Sequence, residues 1–226
     1  YLIPAGGGEP RRLTWQPGNL QAVTWTPDGR RVVFRADTEQ FIHRDPNLYW
    51  VALDGTVPER LPVDRGTLCS FSADGGEMFF TRKGNEEYQW KRYKGGQHTD
   101  IWHFNFKSRR FTPVSDYTGK NAYPMWIGNA LYFVSDRETG IANLFRRDIA
   151  SGAVKRVTAH EKYDVMMPET DGERIVYVQD GYLHLLGTRD GATRKIPVDL
   201  PTDRWRRRDR WLDARDYIHG MDVGND

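Results

Sequence analysis

Cysteine is nearly missing: a single one, Cys69, stands among 226 residues. A lone thiol excludes an internal disulfide framework and any cysteine-based zinc cluster, and it leaves the compartment open. No apolar run approaches the ~18 residues a membrane-spanning helix needs. A dominant charge is lacking too. The 33 Lys+Arg against 31 Asp+Glu leave a formal +2, too balanced for a protein that binds nucleic acid or a membrane surface by electrostatics. Long stretches of period 3.6 with caps are missing before Pro201, so almost no helix is expected. Hydrophobic residues make up only 38%, yet 13% of the chain is aromatic, with 8 Trp, 11 Tyr and 10 Phe. Short twisted strands carrying bulky β-formers give this balance. The sequence starts at Tyr1 without an initiator methionine or leader and stops at Asp226 where a new strand is due. The expectation is a piece of a longer protein.

What is present is a repeat. The apolar triplets Val32-Val33-Phe34, Met78-Phe79-Phe80, Leu131-Tyr132-Phe133 and Ile175-Val176-Tyr177 have last members 46, 53 and 44 residues apart. Each follows a turn: Asp28-Gly29, Asp74-Gly75, Gly128-Asn129 and Asp171-Gly172. Such dipeptides close hairpins because Gly and Asn reach positive φ at low steric cost. Trp25, Phe71 and Trp126 precede three of the turns, and Trp25 and Trp126 are expected to be buried between neighbouring repeats. A third strand follows at Asn47-Leu48-Tyr49, Asp100-Ile101-Trp102, Asn143-Leu144-Phe145 and Tyr182-Leu183-His184, then a second turn and a fourth strand.

Four strands per 44 to 53 residues is one blade of a β-propeller. A β-sandwich is the competing all-β architecture, and the four-fold order of turns disfavours it. The expected organisation is a half-blade over 1–14, blades over about 20–64, 67–115, 121–159 and 164–198, and a connector with the start of a next propeller over 201–226.

The pattern Trp25-Thr26-Pro27-Asp28-Gly29 before Val-Val-Phe resembles the repeat shared by TolB-like proteins and the propellers of tricorn and prolyl-oligopeptidase-type peptidases. Two further segments narrow this. The insertion Trp90-Lys91-Arg92-Tyr93-Lys94-Gly95-Gly96 leading into Asp100-Ile101-Trp102 resembles the tricorn signature. So do Tyr123-Pro124-Met125-Trp126 through Ser135-Asp136 and the later Tyr163-Asp164-Val165. The likeness runs from Tyr1 to about Tyr217. It departs over 15–20, where archaeal members carry a longer loop with paired arginines for a substrate's terminal carboxylate, and where this chain has no Arg.

The resemblance implies the first, six-bladed propeller of a serine peptidase that degrades oligopeptides. It further implies a homo-oligomeric parent with a second propeller and a catalytic region, and no cofactor. The cytoplasm is the expected compartment, with the periplasm open because the N-terminus is missing. A stand-alone TolB-like protein-binding propeller is the alternative.

No catalytic residue is expected in this chain. There is no Gly-x-Ser-x-Gly elbow. His98 and His103 flank a strand start and lack a third metal ligand. Ser135-Asp136 is a strand end that recurs from blade to blade. Arg204 to Trp211 alternates cations and aromatics as nucleic-acid clefts do, but its place after the last blade suits a connector in which arginines pair with Asp209 and Asp213. The docking candidates are Lys91, Arg92, Tyr93 and Lys94 on the insertion, with an ordinary solvated loop as the competing reading. Arg65, Lys120, His160, Tyr163 and Asp164 join them on blade-to-blade loops, where propellers usually bind.

Overall fold

The computed structural model describes residues 1–38, 46–83, 90–199, 201–202, 208–218 and 220. The chain divides into a unit over Tyr1–Ile196 and a second over Pro197–Asp226.

The first unit holds four antiparallel sheets, each of four strands in sequence order. Sheet one is β1 (Leu20–Trp25), β2 (Arg31–Ala36), β3 (Asn47–Ala52) and β4 (Glu59–Arg60). Sheet two is β5 (Cys69–Phe71), β6 (Glu77–Thr81), β7 (Ile101–Asn105) and β8 (Arg110–Pro113). Sheet three is β9 (Asn121–Ile127), β10 (Ala130–Ser135), β11 (Asn143–Asp148) and β12 (Val154–Arg156). Sheet four is β13 (Met166–Thr170), β14 (Arg174–Gln179), β15 (Tyr182–Gly187) and β16 (Thr193–Ile196). Ahead of them, Leu2 and Arg11 form one antiparallel bridge.

The apolar triplets lie on the second strands, and the pleat explains why they are continuous rather than alternating. Successive side chains point to opposite faces of a sheet, so a strand sandwiched between two sheets must be apolar at every position. Val33 packs with Met78, Phe80 and Phe104 of sheet two, whereas its neighbour Phe34 packs with Leu13, Tyr49 and Val51 on the other side. Phe79 turns the other way from Phe80, onto Leu131, Phe133 and Phe145 of sheet three. Tyr132 and Val134 in turn meet Ile175, Tyr177 and Leu186 of sheet four. The core is thus a series of inter-blade layers, each sheet face-on to the next, which is a propeller arrangement.

The hairpin turns are built alike. In the first, the Thr26 hydroxyl and Arg30 N–H donate to Asp28 Oδ1 at 2.6 and 3.1 Å. In the second, the Ser72 hydroxyl and Gly76 N–H do the same to Asp74 Oδ1 at 2.6 and 3.0 Å. Gly29 and Gly75 take φ of 66° and 72°, the left-handed region where a side chain would be strained.

One expectation is corrected. Trp25 is 48% exposed. Trp126 is half-buried because the blade before it stands alongside: its ring is 4.5 Å from that of Phe79 and 6.2 Å from His103. No ring of the described residues stacks on Trp25 in this way.

In the second unit, residues 200, 203–207, 219 and 221–226 lie outside the described residues, so Arg204 to Arg207 do too. Residues Ala214–Tyr217 form one 3-10 turn capped by Asp213, which accepts from Arg215 N–H at 3.0 Å and pairs with its guanidinium at 2.6 Å.

Candidate functional site

The first strands of successive sheets meet one another around an axis: β1 touches β5, β5 touches β9, and β9 touches β13. They are the innermost strands, and together they line a cavity of about 460 Å³. Its wall takes Val23 to Trp25 from the first blade, Leu68 to Phe71 from the second, Tyr123 to Trp126 from the third and Pro168 to Gly172 from the fourth. The strands are tied across blades as well as within them, since Trp126 N–H donates to Ser70 Oγ at 3.0 Å.

Two features set the shape of this wall. Registers slip at Ala22/Thr24 in β1, between Met125 and Ala122 in β9, and between Met166 and Glu169 in β13. At the last two sites a left-handed residue precedes a proline: Tyr123 (φ 56°) before Pro124, and Met167 (φ 48°) before Pro168. Proline cannot donate to a ladder, so it is confined to bulges and edge strands, and a bulge re-aims the side chains beside it. Here that turns Tyr123, Pro124, Pro168 and Glu169 onto the cavity.

The wall is aromatic and weakly polar. Cys69, buried on it, has its thiol pushed up to about 12 by desolvation and is inert as a nucleophile. Glu169 is an exposed residue on the cavity lining, and partial desolvation raises its carboxyl above the ordinary carboxylate value.

Connections from second to third strands, and from one blade to the next, emerge together at one end of the sheets. The long insertion of blade two lies there as a strap over blade three. Lys91 Nζ stands 3.3 Å from Asp164 Oδ2, in the loop leading to blade four. Arg92, itself at φ 57°, packs its side chain against Gly140, leaving no room there for a Cβ. Tyr93 packs its ring 5.1 Å from Trp90, and Lys94 stands 5.6 Å over the Tyr117 ring, as Arg137 also does.

The other candidates are spread along the same end. Arg65 pairs with Asp64 at 3.5 Å, and Lys120 N–H donates to Asp136 Oδ1 at 3.0 Å. His160 turns its ring inward: Nε2 is 3.1 Å from the Tyr177 hydroxyl, and burial followed by the nearby His184 lowers its pKa. Asp164 also accepts from Ala142 N–H at 3.0 Å, so its carboxylate holds the blade-three loop. Tyr163 is 52% exposed.

The structure therefore separates two regions that the sequence did not distinguish: an inner cavity and a braced rim. The cavity wall was missed. Its signal was the recurrence of Xaa-Pro at Tyr123-Pro124 and Met167-Pro168, 44 residues apart like Phe133 and Tyr177.

Four-bladed packing around a shared inner cavity defines this as a portion of a β-propeller. The model of the tricorn protease N-terminal β-propeller domain matches residues 1–192, and the chain belongs to that family. It is 25% identical over 213 residues to a tricorn protease homolog of Saccharolobus solfataricus, covering 94% of this chain and 20% of that protein. It is 29% identical over 238 residues to a putative tricorn protease homolog 2 of Streptomyces coelicolor, covering 99% and 20%. The crystal structure of the tricorn protease superposes with a TM-score of 0.77 at 24% identity, over 88% of this chain and 20% of that one. TolB from Acinetobacter baumannii shares the fold at a TM-score of 0.68 and 19% identity, over 85% and 47%. The chain spans about one-fifth of the length of the curated relatives it matches.

Proposed function

We propose that this chain is the non-catalytic propeller portion of a tricorn-like serine peptidase, acting as a channel for oligopeptides and as a docking domain for the rest of a homo-oligomeric parent. One observation carries the reading: the inner strands of all four blades line a single cavity of about 460 Å³ whose wall is aromatic and weakly polar. Such a wall suits passing contacts with a peptide backbone and its side chains, and it offers no activated nucleophile.

The strap supports the docking half of the reading. Lys91, Arg92 and Lys94 are braced by Asp164, Gly140 and Tyr117, so they present a shaped surface rather than a freely moving loop. With Trp90 and Tyr93 exposed beside them, that surface suits the catalytic region or the carboxyl end of a peptide.

The test is made in the full-length protein. Thr24→Trp, which narrows the channel, should slow turnover of octapeptides several-fold and leave tripeptides unchanged. Lys91→Glu with Arg92→Glu and Lys94→Glu should impair assembly or handling of long peptides. The 226-residue chain alone should cleave no fluorogenic tri- or tetrapeptide. Turnover by the chain that survives repurification, or indifference to channel narrowing, refutes the proposal.

A further inference from the structure

The cavity wall carries charge of one sign only. Of its seventeen lining residues, Glu169 and Asp171 are carboxylic acids, and none is Lys or Arg. The two acids differ in what they already hold. Asp171 Oδ1 accepts from Glu173 N–H at 3.0 Å and Arg174 N–H at 2.7 Å, and Oδ2 pairs with the Arg174 guanidinium at 2.6 Å. Its charge is answered within its own turn. Glu169 has no hydrogen-bond or ion-pair partner among the described residues, and its side chain is directed to the cavity by the bulge at Met167-Pro168.

One unanswered carboxylate thus faces a space that Trp25, Phe71, Tyr123 and Trp126 also line. A cation entering there meets both a negative charge and aromatic faces, which attract ammonium groups through their quadrupoles. Field lines from a charge in a low-dielectric cleft are focused into the cleft. A carboxylate entering there meets like charge, with no Lys or Arg among the described lining residues to offset it. An extended peptide brings one of its ends in first, and its two ends carry opposite charges.

We propose that Glu169 gives the channel a polarity, so that an oligopeptide engages it with its free α-ammonium end. The inference rests on the peptide-channel reading above and adds the direction of entry. Glu169 is exposed to the cavity's solvent, and the partial desolvation that raises its carboxyl fits a group that gains from a cationic ligand.

Fluorescence anisotropy on the 226-residue chain tests this with three heptapeptides of neutral residues labelled at the carboxyl end. One has a free amino terminus, one is N-acetylated, and one is N-acetylated with lysine first. The free-amine peptide should bind about tenfold tighter than the acetylated one, the scale of one charge-assisted contact. Glu169→Gln should remove that difference and leave the acetylated peptide's affinity unchanged, whereas Glu169→Asp should keep part of it. Unchanged melting of both variants checks their folding. Equal binding of the free and acetylated peptides, or a preference that persists in Glu169→Gln, overturns the polarity and leaves the channel standing. Lysine-peptide binding as tight as that of the free amine overturns the assignment to the α-ammonium. Failure of all three to bind overturns the channel reading along with it.

Discussion

Lys91 and Asp164 join parts of the molecule that lie two blades apart: the ammonium of the blade-two insertion sits 3.3 Å from a carboxylate in the loop that enters blade four. The two partners do unequal structural work. Lys91 is about half exposed, so its ion pair is screened by solvent and contributes about 0–1 kcal/mol. Asp164 also accepts from Ala142 N–H. Lys91→Ala should therefore lower unfolding free energy by under about 1 kcal/mol, and Asp164→Ala by about 1–3 kcal/mol. Urea denaturation of both variants measures this. Equal losses would show that the carboxylate's backbone contact carries no weight.

The two tryptophans at the ends of inner strands should part company. Trp126→Ala removes a ring packed on Phe79 and His103 of the neighbouring blade and should cost about 3 kcal/mol. Trp25→Ala should stay within about 1 kcal/mol, since the side chain is largely exposed. Thermal melts compare them, and a Trp25 variant as damaged as the Trp126 variant would contradict the inter-blade account.

Acid should loosen the hairpin turns together. Asp28, Asp74 and Asp171 accept hydrogen bonds from their own turns, which lowers each carboxyl below its ordinary value of 3.8, for Asp171 to about 2. A carboxyl depressed on folding contributes stability that is fully present above its unfolded value and is lost as pH falls through its folded value. The turn contribution should thus be flat down to about pH 4 and fade toward pH 2. Asp171→Asn should flatten that acid limb in a pH series of melts. An unaltered limb would place the loss elsewhere.

Met167 offers a backbone test. It sits at φ 48° with its side chain 54% exposed. Met167→Val should cost about 1–3 kcal/mol because a β-branched residue resists that conformation. Met167→Gly should be within about 1 kcal/mol of the parent, relief of strain offsetting lost chain stiffness. Were valine harmless, the bulge would not require a left-handed residue.

Blade count was legible because it depends on local chemistry. Asp-Gly turns announce hairpins, and strands covered on both faces read as unbroken apolar triplets such as Met78-Phe79-Phe80. The insertion was legible as an unusual segment, but not as a strap, because Lys91 and Asp164 are 73 residues apart and nothing local links them. Trp25 and Trp126 share a motif and differ in burial because burial depends on the neighbouring blade rather than on the repeat. The cavity wall was hidden for a similar reason: the inner strands are irregular, and a two-residue alternation cannot be followed through a bulge.

The central claim is that peptides contact the inner strands. A heptapeptide carrying a benzophenone group, irradiated with the 226-residue chain and mapped by digestion and mass spectrometry, addresses it most directly. The account predicts adducts on Val23 to Trp25, Leu68 to Phe71, Tyr123 to Trp126 and Pro168 to Gly172, the segments that line the cavity. Adducts confined to the outer strands β4, β8, β12 and β16, with the inner strands unlabelled, would contradict it.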